Sequence, residues 1–113
     1  MNTLAQGTRW ELKGDNVQPS ILLLTMVDQG KSFPAFDPLT GQAIAESLVA
    51  VLDGKFREPI QSNGHIFRVA RHELGAWLKV DDGGDGNCRE TALLFEEASD
   101  LSLRMLAVIR RNR

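Results

Sequence analysis

The chain has 113 residues, with Lys+Arg 13 against Asp+Glu 15 and a formal net charge of −2. One domain of ordinary globular composition fits these numbers, and a chain this long buries roughly two-thirds of its unfolded surface, enough for a core without disulfides or a metal. A pI near 5.6 argues against nucleic acid as the main partner, since such domains carry a basic footprint. The single cysteine, Cys88, excludes an intrachain disulfide and fits a reducing compartment. Met1 to Trp10 lacks a basic start followed by an apolar stretch, so no signal peptide is read there and the expected location is the cytoplasm.

Residues 1–8 read as a loose start. Arg9-Trp10-Glu11-Leu12-Lys13 alternates, with Trp10 and Leu12 on one face of a short strand. Gly14-Asp15-Asn16 is a turn signal. The most apolar stretch follows, Ile21 to Val27, with Thr25 its only polar member. It is far shorter than the roughly 20 residues of a membrane span. A bounded apolar run of this length is expected to be a strand buried on both faces. It is the expected central strand, hairpinned to the one before it.

Gly30 to Asp37 reads as a loop whose two rings, Phe33 and Phe36, are pinned onto the core or form a pocket lip. A helix is expected over 38–53. Asp37 can cap it, Pro38 suits its first position and Gly54 suits a left-handed C-cap. Thr40 is a second candidate cap. Leu39, Ala43, Ile44, Leu48, Val51 and Leu52 form the stripe expected to face the central strand.

Lys55 to Gly64 is polar and ends in the turn pair Asn63-Gly64. His65 to Val69 is a strand signal, and Ala76, Leu78 and Val80 alternate with Trp77, Lys79 and Asp81. Two strands with a bend at Arg71-His72-Glu73 is the preferred reading. A helix over 70–79 competes, weakened by about 1 kcal/mol at Gly75 relative to Ala. Leu93-Leu94-Phe95 marks the next strand. Ser99 is a plausible cap for a C-terminal helix carrying Leu101, Met105, Val108 and Ile109. A longer helix from Leu94 and a strand over 101–109 stay open.

The expected fold is α+β: a single domain over 1–113, with a mainly antiparallel sheet of about five strands and two helices, in the order β-β-α-β-β-β-α. Trp77 and Lys79 should lie on the sheet face opposite Ala76, Leu78 and Val80. A homodimer across that face is the expected assembly.

Sites are sparse. Asp81, Asp82 and Asp85 put oxygen ligands on a glycine loop, yet Gly83 and Ala92 break the calcium-loop pattern, and a plain turn is the better reading. Cys88, His65 and His72 are too few and too scattered for a zinc site. Cys88 reads as a small apolar strand residue, not a nucleophile. No cofactor is expected. The basic tail Arg110-Arg111-Asn112-Arg113 suits the negative end of a helix. Trp10, Phe33, Phe36 and Trp77 are the candidates for lining an apolar ligand cavity.

One local likeness remains. Ile66-Phe67-Arg68-Val69-Ala70-Arg71-His72-Glu73-Leu74-Gly75-Ala76-Trp77-Leu78 resembles the end of excisionase-type winged helix-turn-helix domains. That resemblance implies a short strand followed by a helix containing Glu-Leu-x-x-Trp-Leu, and a DNA-binding role. Three functions are therefore carried forward. The leading one is a non-enzymatic, self-associating binding module that takes a protein partner. The others are a small-ligand pocket protein or enzyme with an apolar cavity lined by Trp and Phe, and a DNA-binding regulator.

Overall fold

A computed structural model describes residues 1–15, 20–81 and 87–111. The elements are β1 (Asn2–Gln6), β2 (Trp10–Gly14), β3 (Leu22–Met26), β4 (Lys31–Ser32), α1 (Pro38–Leu52), β5 (Ile60–Ser62), β6 (His65–His72), β7 (Gly75–Asp81), β8 (Glu90–Leu94) and α2 (Phe95–Arg111). The α+β class holds, but the strands form two four-stranded antiparallel sheets, β1-β2-β3-β4 and β5-β6-β7-β8. Each half of the chain is thus a four-strand meander followed by a helix. One apolar cluster draws residues from both sheets and both helices.

Period-two patterning builds the strands. In β2 and β3 the inward residues are Trp10, Leu12, Leu22, Leu24 and Met26, and the register pairs Trp10 with Met26 and Gly14 with Leu22. The hairpin expected here is present. The apolar run is buried on one face only, with Leu23 and Thr25 half-buried and Ile21 and Val27 exposed. Antiparallel sheets have one covered face, so a run of apolar residues there still alternates in environment. Residues 1–8 are not loose: Asn2–Gln6 pairs with β2, and Arg104 donates to the Gln6 carbonyl. That strand is polar and gains its order from its partner.

Asp37 caps α1, accepting from the Thr40 N–H at 2.8 Å, so Thr40 is not the cap. At the other end the Gly54 N–H donates to the Val51 carbonyl and the Lys55 N–H to the Ala50 carbonyl, with Gly54 at φ 82°. These two bonds form a Schellman motif. The buried face differs from the expected stripe. Leu39 is 74% exposed, while Gly41, Ile44, Ala45, Leu48 and Val51 are buried. Leu39 and Leu48 are nine residues apart, about 180° around the helix, so they cannot share a face. The helix packs mainly on β5, β6 and β7, and meets the expected central strand at Gly41, beside the Leu22 side chain. Its small residues admit α2, where Ser102 Oγ donates to the Ala45 carbonyl at 2.7 Å.

Asn63 at φ 49° and Gly64 at φ 82° make the two-residue turn between β5 and β6, the geometry that favours Asn-Gly. Residues 70–79 are strand, turn and strand, with Glu73-Leu74 at the turn. The helix implied by the excisionase-type resemblance does not form. Gly75 lets the end of β8 approach closely: a Cβ there would collide with the Leu93 carbonyl oxygen and stand 2.6 Å from the Leu94 carbonyl carbon. The strand β8 crosses at that point.

The second helix begins at Phe95, not Ser99. Glu97 Oε1 accepts from the Leu94 N–H at 3.0 Å, the glutamate half of a capping box. Ala98, Leu101, Met105, Val108 and Ile109 face the core. The longer-helix alternative holds and the strand alternative does not. Among the described residues no helix is long and apolar enough to cross a membrane.

Candidate functional site

Both helices lie over the inward residues of the second sheet, Phe67, Val69, Ala76, Leu78 and Val80. The opposite face is therefore free of helices. Its register sets Ala70 beside Trp77, Trp77 beside Ala92, Arg68 beside Lys79 and Lys79 beside Glu90. The Trp77 indole stands between two alanines. His72 packs edge-on against it at 4.7 Å between ring centroids, and Lys79 Nζ lies 5.2 Å from the ring centre. Arg68 pairs with Asp81 at 3.0 Å, and Lys79 approaches Glu90 at 3.8 Å. The face thus has an aromatic centre with short neighbours and charges of both signs around it.

Three groups able to do acid–base chemistry, His72, Cys88 and Glu97, make structural contacts. His72 Nδ1 accepts from the Leu74 N–H at 3.1 Å. Cys88 is buried, its Sγ lies 3.3 Å from Gln29 Oε1, and burial pushes its thiol pKa up. Glu97 takes both Nε and Nη2 of Arg9 at 2.7 Å. The hydrogen bonds from Arg9, ahead of the burial that opposes them, hold the Glu97 carboxyl below its ordinary range.

The four rings expected to line a cavity are not gathered. Trp10 is 1% exposed, closed between Gly7 and the Arg104 guanidinium, whose carbon sits 5.6 Å from the ring centre. Phe33 is fully buried. Phe36 joins the core edge-on to Phe67 at 5.8 Å, held where its backbone pairs with Leu22. Trp77 is half-buried on the other sheet's outer face. Of the oxygen ligands, Asp81 is on that face beside Arg68, and Asp82 and Asp85 lie outside the described residues. Among the described residues no three His, Cys, Asp or Glu side chains gather to hold a metal. His72, Ala70 and Ala92 were missed as neighbours of Trp77 because only strand register brings them together.

No protein-family model, curated protein or solved structure matches this chain.

Proposed function

We propose that the chain is a small non-enzymatic binding module that self-associates as a homodimer in the cytoplasm, through the outer face of its second sheet. The observation that carries this reading is Trp77, a half-buried indole at the centre of a face that both helices leave uncovered. Aromatic residues in such surroundings are the usual anchors of protein contacts. The charge around it is balanced, with Arg68 and Lys79 beside Asp81 and Glu90, so two such faces carry no net repulsion. The lone buried thiol suits a reducing compartment.

Light scattering tests the reading. The wild type is expected at twice 12.5 kDa, about 25 kDa. Trp77→Glu is expected at the monomer mass with an unchanged far-UV spectrum. A wild-type protein that stays monomeric at tens of micromolar, or a Trp77→Glu dimer, removes this reading.

A further inference from the structure

The edges of the second sheet are treated differently. The Val80 N–H donates to the Arg89 carbonyl and the Phe95 N–H to the Leu74 carbonyl. Odd-numbered residues of β8 therefore face β7, and Glu90, Ala92 and Leu94 turn their backbone groups outward. That outward edge is sealed by side chains. Arg9 Nη2 donates to the Ala92 carbonyl at 2.7 Å, Gln29 Nε2 reaches the Glu90 carbonyl at 3.5 Å, and Glu97 takes the Leu94 N–H.

The far side of β6 is not sealed. Strand β5 is three residues long and pairs only with His65, Ile66 and Phe67, while β6 continues to His72. In a two-residue hairpin the flanking pair, Ser62 and His65, exchanges both backbone bonds. Counting on by twos, Val69 and Arg71 point their N–H and C=O groups to the side that β5 has vacated, and no backbone partner meets them among the described residues. A cleft of about 290 Å³ occupies that place. Val51 and Val69 supply its apolar wall, and Lys55, Phe56, Arg57 and Arg71 also line it. Phe56 is 83% exposed. Arg71 is held at the cleft by donating Nη1 to the Leu52 carbonyl at 2.8 Å. No carboxylate lines it.

We propose that this cleft binds an extended acidic peptide, which adds as a strand to the open edge of β6 at Val69 and Arg71, beside Lys55, Phe56 and Arg57. The edge supplies backbone donors and acceptors, the elements of recognition by strand addition. The three cations select acidic side chains, and the exposed Phe56 ring covers apolar ones. Charge also decides the occupant. A second copy docking edge to edge would set Lys55, Arg57 and Arg71 against their own equivalents, which is repulsive. The cleft opens at the edge of β6 and shares Ala70 with the Trp77 face, but its test reads peptide binding and not oligomeric state.

The test is fluorescence anisotropy on the full chain at low salt, with a dye-labelled octapeptide of alternating Glu and Val. Three comparisons accompany it: the alternating Lys and Val octapeptide, the acidic octapeptide N-methylated at alternate amides, and the protein variant Lys55→Glu/Arg57→Glu. The acidic peptide is expected to bind, and each comparison to bind at least about tenfold more weakly. Both substituted residues are exposed, and a far-UV spectrum checks that the variant is folded. Arg71→Pro supplies a second variant, since Arg71 is exposed, its N–H faces away from β7 and proline is tolerated on such an edge. It is expected to abolish binding. Failure of the acidic peptide to bind, equal binding of the basic peptide, or an undiminished affinity in the charge-reversed variant overturns the proposal. Equal binding of the N-methylated peptide overturns strand addition and leaves charge attraction alone.

Discussion

Arg9 makes more cross-links than any alternation pattern announces. Its guanidinium reaches Glu97 through two nitrogens, Asp28 at 3.1 Å and the Ala92 carbonyl at 2.7 Å. It thereby ties the turn after β1 to the end of β3, the edge of β8 and the first turn of α2. Such paired, charge-assisted bonds are worth more than exposed ion pairs. Arg9→Ala is expected to destabilise the chain by about 2 kcal/mol, since the Glu97 carboxylate and a strand carbonyl lose their donor. Urea unfolding followed by circular dichroism measures this. The pH dependence follows from the depressed Glu97 carboxyl. Its contribution is complete above the ordinary carboxylate value of 4.5 and is lost as pH falls through the lower folded value. Glu97→Gln should flatten part of the acid loss of stability. Asp37, held down by the Thr40 side chain and backbone, and Glu11, held down by Thr3 and Lys13, act in the same direction. An unchanged acid profile in Glu97→Gln would remove Glu97 as its source. Cys88 is governed by burial, so a thiol reagent at neutral pH should label it only after denaturant is added. Rapid labelling of the native protein contradicts this.

At the scale of elements, the close approach of β8 to the start of β7 needs one glycine, Gly75. Gly75→Ala puts a methyl group against backbone, which cannot swing aside as a side chain would. The expected cost is about 3 kcal/mol, at the upper end for overpacking, read as a lowered thermal midpoint. A midpoint within a degree of wild type would mean that β8 does not approach as described. Helix α1 was legible in detail because its signals are local: Asp37, Pro38 and Gly54 sit where capping geometry needs them. Helix α2 was legible in its apolar face but not in its start. Leu94 occupies the position where Ser or Thr would have marked a cap, and the bond that begins the helix comes from Glu97 three residues on. Strands β1 and β5 were invisible because Asn2–Gln6 and Ile60–Ser62 have little strand character of their own. They form where a neighbouring strand offers its edge.

For the molecule as a whole, two meanders are welded by α1 lying against α2 and by the Arg9 contacts between halves. Each half carries one tryptophan, Trp10 in the first and Trp77 in the second. Trp10→Phe and Trp77→Phe leave one reporter apiece. Within each variant, fluorescence and far-UV circular dichroism should give the same urea midpoint, the mark of one cooperative unit. A reporter that unfolds ahead of the backbone signal would show that its half melts separately. The candidate site was partly legible. Alternation placed Trp77 and Lys79 on the face opposite Ala76, Leu78 and Val80, and they lie there. Alternation could not separate Trp77 from Trp10, Phe33 and Phe36. Burial did, by closing the other three inside the core.

The sequence by itself determined the α+β class, the β2–β3 hairpin, the ends of α1 to within a residue, the Asn63-Gly64 turn and the two faces of β7. Each rests on interactions within a few residues: pleat, helical period, caps and the backbone freedom of glycine. Tertiary structure decided the division into two sheets, the face that α1 buries, the first turn of α2, the sealed edge of β8 and the open edge of β6. Those depend on partners far apart in the chain, such as Arg9 and Glu97 or Ala45 and Ser102. A local pattern records how a segment can fold, but not which distant group will satisfy its backbone or cover its side chains.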